Sequence, residues 1–204
     1  TKTPYTELAY WGTLFANQTK EESNIKILTT QNITPKLNFT LEYRRFGGNG
    51  MLKREDTGNR TFVAATNYTG KKYLMHAGFI YNRIERTENG GITDDRYITD
   101  PLDMAEGKKQ YASTDIPTLF NKIWNHNTSY HTFLTHRYNL GFYKERTDSI
   151  SADSVRIIED FVPVTSFIHT MELDFNGRKY ITQDHSQNKE FFEHTYFGND
   201  SIDN

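Results

Sequence analysis

The sequence predicts an all-β fold of about seven or eight long antiparallel strands, and two observations support it. Apolar and polar residues alternate over several segments of the 204-residue chain, as they do along strands with two different faces. Residues 61–92 also form an over-long hairpin, in which two β-type runs are joined by a tight turn at Gly70 and Lys71. The second run is longer than the five or six residues, roughly, of an ordinary globular strand.

The strand candidates follow one another along the chain. Residues 36–46 alternate most cleanly, with apolar side chains on one face and polar side chains on the other. Thr34 and Pro35 precede them as a turn, because proline fixes φ and donates no backbone hydrogen bond. A charged stretch at 144–160 is predicted to be either a loop or the polar extension of two strands. The predicted strands cover 5–15, 24–33, 36–46, the two arms of the hairpin at 61–86, 124–142 and 164–176.

The connections between these strands alternate in length. The turns at Pro35 and Gly70 are short, whereas the connections at 47–60 and 87–122 are long. A transmembrane β-barrel has short turns at one end and long external loops at the other. The pattern therefore favours an antiparallel up-and-down transmembrane β-barrel, here a partial barrel or curved sheet, although a connection at 144–160 would be too long for the short end.

Composition is compatible with this fold and excludes other classes. The formal net charge is −2, so no basic field indicates nucleic acid as a partner. The chain has no cysteine, which excludes disulfides and thiol chemistry. Aromatic residues make up 14% of the chain although its mean hydropathy is −0.77, as expected when half of each strand faces water. No run of about 18 apolar residues predicts a transmembrane helix.

Several stretches resemble the putative-porin family of outer-membrane β-barrels found in Bacteroidota. They are spread over most of the chain, and ENGGI and PVTSFIHT are the most specific of them. The stretches are TPYTEL (3–8), TQNITPKLN (30–38), EYRR (42–45), YNR (81–83) with ENGGI (88–92), THRYNLG (135–141) and PVTSFIHT (163–170).

The resemblance implies a porin in the bacterial cell outer membrane, with outer-membrane lipid around it and passive diffusion of small polar solutes through it. Family members are longer, so residues 1–204 are expected to be a single internal segment of the barrel, with an external loop at about 87–122. The resemblance brings no catalytic residues, and we expect no enzyme, no cofactor and no metal. Two alternatives remain: a non-conducting structural or anchoring barrel, and a soluble glycan-binding β-sandwich.

Alternation assigns side chains to the two predicted faces of the wall. The residues predicted to line the pore are Lys36, Glu42, Arg44, His76, Asn82, Arg137, Glu172 and Asp174. The residues predicted to face lipid are Leu37, Phe39, Leu41, Tyr43, Tyr73, Phe79 and Tyr81. Leu74 and Ile80 lie on the predicted pore side and do not fit this pattern.

Other chemistry has little support in the sequence. His131 and His136 are an odd number of residues apart on a strand, hence on opposite faces, and cannot share a metal ion. Asp94, Asp95 and Asp100 lack the spacing of a twelve-residue calcium loop. No nucleophile elbow, phosphate loop or dinucleotide fingerprint is present.

Overall fold

The computed structural model describes residues 3–13, 22–105, 110–151, 154–183 and 189–192. Seven strands form one antiparallel sheet in which each strand pairs with its neighbour in sequence. This up-and-down order confirms the predicted fold class and strand number. The strands are β1 (Tyr5–Gly12), β2 (Glu22–Thr34), β3 (Leu37–Asn49), β4 (Asp56–Thr69), β5 (Tyr73–Thr87), β6 (Ile123–Ser151) and β7 (Ser154–Thr182).

The sheet is open, because within the described residues β1 and β7 do not pair with each other. It is therefore a partial barrel or curved sheet, as predicted. The soluble β-sandwich alternative requires a second sheet against Leu37, Phe39, Leu41 and Tyr43, whereas the seven described strands all belong to one sheet. Phe39 remains 38% exposed.

The connections sort by end more completely than the sequence predicted. At one end, which we call the short-turn end, the chain passes from Thr34 to Leu37, from Thr69 to Tyr73 and from Ser151 to Ser154. At the other, the long-connection end, it passes from Gly12 to Glu22, from Asn49 to Asp56 and from Thr87 to Ile123. The charged stretch at 144–160 was predicted to be either a loop or the polar extension of two strands. It is the extension, since it consists mainly of the ends of β6 and β7.

Residues 47–60 were predicted to be a long loop, and that prediction is wrong for most of the segment. β3 continues through Gly47 to Asn49, and β4 begins at Asp56. Gly47 pairs with Ser23 of β2 and with Gly58 of β4. Pairing on both sides outweighs the turn preference of glycine, so the connection shrinks to residues 50–55.

β6 and β7 have 29 residues each, or roughly 95 Å of strand. β6 pairs with β5 only as far as Tyr138. Residues 139–151 and 154–166, which we call the β6–β7 extension, pair with each other beyond the short-turn end, and the Asn139 N–H donates to the Lys72 carbonyl oxygen at 2.7 Å. Lys71 Nζ donates a hydrogen bond of 3.0 Å to the Glu159 carbonyl oxygen, and Lys72 Nζ lies 5.1 Å from the centre of the Tyr143 ring. The β4–β5 turn therefore contacts the extension.

The connection 88–122 has its own small core at the long-connection end. Gly90 has φ of +70°, and a Cβ there would lie 2.5 Å from the Phe120 ring, so the position requires glycine. Phe120 and Ile123 are almost fully buried. The connection contains helices α1 (Arg96–Thr99) and α2 (Pro101–Met104) and a 3₁₀ turn (Ser113–Asp115), and Phe191 of α3 (Lys189–Phe192) packs on Phe120.

None of the helices within the described residues is long and apolar enough to cross a membrane.

Candidate functional site: the two faces of the sheet

The strand register gives the sheet two chemically different faces. Residues directly opposite in neighbouring antiparallel strands share a face, and successive residues of one strand alternate between faces. Leu41 lies opposite Thr29 and Ala64, and Ala64 lies opposite Phe79. We call the side that carries these residues the aromatic face, and the side that carries Glu42 and Val63 the polar face.

Two rows of aromatic side chains cross the aromatic face. The row nearer the long-connection end contains Tyr43, Phe62, Tyr81, Tyr130 and Phe175. The row nearer the short-turn end is staggered over two levels and contains Tyr68, Tyr73, Tyr138 and Phe167. Each row contains a pair of rings in contact, with centroid distances of 5.1 Å for Tyr81–Tyr130 and 5.9 Å for Tyr68–Tyr73.

The distance between the two rows suits a membrane. Tyr73 and Tyr81 lie at opposite ends of this band on β5, and the eight steps between them span about 27 Å of strand. A strand tilted by about 40° would cover roughly 20 Å of height, close to the ~25 Å apolar band of outer-membrane barrels. Aromatic girdles flank that band at both interfaces.

The band between the rows is mostly apolar and small. It carries Leu41, Ala64, Phe79 and Leu173 at one level, and Phe39, Ala77, Leu134 and Met171 at the next. Thr132 and Thr66 lie at these two levels, and a group of polar rings lies near the short-turn end. His136 Nε2 lies 3.0 Å from His169 Nδ1, and His136 Nδ1 lies 3.4 Å from the Tyr73 hydroxyl. These groups hydrogen-bond to one another, which lowers the free-energy cost of removing them from water beside the aromatic row.

All seven residues predicted to face lipid lie on the aromatic face. Leu37, Phe39, Leu41 and Tyr43 are on β3, and Tyr73, Phe79 and Tyr81 are on β5. Their contact with lipid stays a prediction, but the structure brings them together on one surface.

Seven of the eight residues predicted to line a pore lie on the polar face. Lys36 is the exception, because it lies in the turn between β2 and β3. There its backbone N–H donates to the Thr34 hydroxyl at 3.3 Å. The other seven are Glu42, Arg44, His76, Asn82, Arg137, Glu172 and Asp174.

The polar face is held together by hydrogen bonds and ion pairs between strands. Lys26 Nζ lies 2.9 Å from Glu7 Oε2 across β1 and β2. Glu42 pairs with Arg44 on β3, and the Thr61 hydroxyl donates to Asn82 Oδ1 at 2.9 Å. The carboxylates of β1 and β3 are thus each paired with a base.

The carboxylates on β7 have a different setting. Asp174 accepts a hydrogen bond from His131 of β6, whereas Glu172 lies opposite Phe133. Both carboxylates are exposed. Arg137 of β6 and Arg178 of β7 lie on the same part of the polar face, so its two carboxylates are matched in number by two bases.

Sequence reasoning missed the role of Phe133. Its ring lies over Gly78, where an added Cβ would be 2.4 Å from Phe133 Cε1. The ring is 5.2 Å from that of His76 and 6.0 Å from that of His131. The alternation around Arg137 places Phe133 on the polar face, but only the register shows that Gly78 lies opposite it. Ile80 is an apolar residue on the polar face, and it lies opposite another apolar residue, Val63.

Within the described residues, no three histidine, aspartate or glutamate side chains are grouped so that they could hold a metal ion. Ionisable groups of the polar face instead meet in pairs, such as Glu7 with Lys26, Glu42 with Arg44 and Asp174 with His131.

An up-and-down antiparallel sheet with one aromatic-banded face and one polar face belongs to the class of β-barrel walls. The chain belongs to the family described as "Putative porin", whose model matches residues 1–204. The family resemblance seen in the sequence is thereby confirmed, and the family description indicates a porin-like role rather than an enzymatic one. No curated protein and no solved structure matches the chain.

Proposed function

We propose that this chain is a wall segment of a bacterial outer-membrane porin, through which small polar solutes diffuse passively. The observation that supports this most directly is the division of one sheet into an aromatic-banded face and a polar face. In a soluble protein the aromatic face would need a covering layer, and the described residues provide none for it. Lipid is the environment that such a face suits.

The proposal also gives the sheet an orientation. Outer-membrane barrels have short periplasmic turns and longer external loops. The short-turn end would then face the periplasm, and the connection 88–122 would be an external loop. The open edges at β1 and β7 would need further strands, because unpaired backbone groups are costly in lipid.

The polar face would be the lining of the passage. Its side chains are carboxylates, bases, amides and hydroxyls that water can solvate, and opposite charges occur on different strands. Glu42 and Arg44 lie on β3, Arg137 lies on β6, and Glu172 and Asp174 lie on β7. A lining with charges of both signs creates a transverse field that favours polar solutes over apolar ones.

Planar-bilayer recording of the full-length protein tests the proposal. We expect discrete steps of ion current, and their absence at any protein concentration would reject the pore. The double variant Glu172→Gln/Asp174→Asn should shift the reversal potential in a salt gradient towards anion preference, because it removes two negative charges from the lining. Asp160→Asn is the matched control, since Asp160 pairs with Arg146 in the β6–β7 extension.

A non-conducting structural or anchoring barrel is the second candidate. Phe133, Leu74 and Ile80 place apolar side chains on the polar face, and such groups narrow or seal an interior. The same recording separates the two functions, because an anchoring barrel would insert into the bilayer and pass no current.

A further inference from the structure

Three arginines lie side by side on the aromatic face, one level beyond the aromatic row at the long-connection end. Arg45 of β3 lies opposite Arg60 of β4, and Arg60 lies opposite Arg83 of β5. Neighbouring strands are about 4.8 Å apart, and like charges directly opposite each other destabilise a sheet. We call these three residues the arginine row. Their alignment calls for a compensating anion.

The protein supplies only part of that compensation. Glu85 pairs with Arg83, and its Oε2 lies 3.8 Å from Arg60 Nη2. Among the described residues, no carboxylate pairs with Arg45. Three guanidinium groups and one carboxylate leave a formal charge of 3 − 1 = +2 on this patch. Arg83 Nε is also buried without a hydrogen-bond acceptor, although a buried donor normally has one.

Arg45 and Arg60 of the arginine row line a cleft of about 230 Å³, and Gly47 and Gly58 form its floor. Gly47 and Gly58 lie opposite each other on the floor, and Ser23 and Glu85 line it as well. A Cβ at Gly58 would meet no atom within 4 Å, so packing does not require glycine there. Glycine inside a strand often marks a place where a ligand approaches the backbone closely.

The position of the cleft indicates which anion would fill it. The next level of the same face carries Tyr43, Phe62 and Tyr81, which would mark the edge of the apolar band. The arginine row would then lie at the level of lipid headgroups, where clusters of basic residues bind anionic lipids. Arginine is suited to this, because its planar fork binds phosphate through two hydrogen bonds.

We infer that the arginine row and the Gly47–Gly58 floor form a binding site for the phosphate-bearing headgroup of a membrane lipid in the leaflet at the long-connection end. The acyl chains of that lipid would lie along the aromatic face. The inference rests on the proposed function, since the aromatic face meets lipid only in a membrane-embedded barrel.

Native mass spectrometry of the detergent-solubilised full-length protein tests the site with dioleoylphosphatidic acid and dioleoylglycerol. The two probes share their acyl chains and differ in the phosphate. We expect phosphatidic acid to be retained at least about tenfold more tightly, and the variant Arg45→Gln/Arg60→Gln/Arg83→Gln to lose about tenfold in affinity. Arg86 lies on β5 like Arg83 but on the polar face, so the control variant Arg86→Gln should retain the lipid like the unmodified protein.

Equal retention of the two probes would overturn the inference, as would a triple variant that retains phosphatidic acid unchanged. Inorganic phosphate is the third probe. If it occupies the site as tightly as phosphatidic acid does, the site binds free anions and the inference is overturned. If the triple variant fails to show the far-ultraviolet circular dichroism of a folded barrel, Arg45→Gln alone replaces it, because Arg45 has no ion pair to lose.

Conductance of the same preparations separates the two proposals. Lost lipid preference with intact ion current would reject the headgroup site alone. Intact lipid preference without ion current would reject the pore alone and keep the site on an anchoring barrel. Failure of the protein to insert into bilayers at all would reject the outer-membrane function.

Discussion

The two faces of the sheet are built from alternate residues of the same strands, yet they are organised on different principles. The aromatic face is ordered in rows, so that side chains of one chemical type lie at one level on several strands. The polar face is ordered in pairs, such as Glu7 with Lys26 and Thr61 with Asn82. A membrane is layered, whereas water is uniform, so only the aromatic face needs levels. The contrast is what a barrel wall between lipid and water requires.

The largest expected effect compares the two faces at neighbouring positions. Ala64 and Ala65 are consecutive on β4, are both half-buried, and point to the aromatic and polar faces respectively. Ala64→Arg places a charge within the apolar band and should lower the free energy of unfolding in vesicles by about 2–4 kcal/mol. Ala65→Arg should lower the free energy of unfolding much less and should reduce the single-channel current instead. Denaturant unfolding in vesicles measures the first effect, and equal losses for the two variants would break the distinction between the faces.

A second prediction compares one glycine from each face. Gly78→Ala on the polar face pushes a methyl group against the Phe133 ring and should lower the free energy of unfolding by about 1–3 kcal/mol. Gly58→Ala on the aromatic face meets open space and should leave stability unchanged or raise it by up to about 1 kcal/mol. Denaturant midpoints of both variants provide the measurement.

The double variant Gly78→Ala/Phe133→Leu is the control for that comparison. If steric overlap with the ring causes the loss, replacing the ring should recover part of it, beyond the sum of the single changes. Strictly additive effects would show that Gly78 is required for its backbone conformation and not for the space that it leaves to the Phe133 ring.

Alternation was sufficient to predict the face of a residue but not its level. Leu41 and Glu42 could be assigned to opposite faces from β3 alone, because each step along a strand changes the face. The arginine row could not be found in this way, since Arg45, Arg60 and Arg83 meet only through the pairing of three strands. The same holds for Gly78 under Phe133. Register depends on contacts between segments far apart in sequence, which a pattern within one segment does not contain.

Strand ends were the other part that the sequence left undetermined. Lys36 continues the alternation of β3 in sequence. In the structure the Thr34 hydroxyl accepts hydrogen bonds from the backbone N–H groups of Lys36 and Leu37, which places Lys36 in the turn. Gly47 and Gly48 resemble a turn in sequence, yet partners on both sides keep them in the strand. Propensity is a local quantity, and both outcomes were decided by hydrogen bonds to other residues.

A third prediction asks whether the β4–β5 turn holds the β6–β7 extension in place. Lys72 Nζ lies 5.1 Å from the Tyr143 ring centre and 5.6 Å from that of Phe161. Lys72→Ala removes both cation–π contacts, worth about 0.5–1 kcal/mol at an exposed site, and should speed hydrogen exchange of residues 140–146. Lys53→Ala at the opposite end of the sheet is the control. Unchanged exchange in the Lys72 variant would mean that the β4–β5 turn does not hold the extension.

The smallest effect comes from a charge pair that lies outside both faces, in the connection 88–122. Arg96 donates to Asp94 through its Nε and its backbone N–H, at 3.1 and 2.9 Å. The Arg96 side-chain hydrogen bonds come first among the causes that lower the pKa of Asp94 to about 2 from its ordinary 3.8, followed by the backbone hydrogen bond. Because the folded-state pKa is the lower one, the stabilisation is present above about pH 4 and is lost as pH falls towards 2.

Nuclear magnetic resonance of the full-length protein in micelles measures this, with the Arg96 amide shift followed against pH. We expect a midpoint near 2, and Asp94→Asn should remove the transition without changing the sheet. A midpoint near 3.8 would show that the pair does not persist in solution. The pair then serves as the aqueous reference for the arginine row: Arg96 has a carboxylate of its own, whereas Arg60 and Arg83 share that of Glu85.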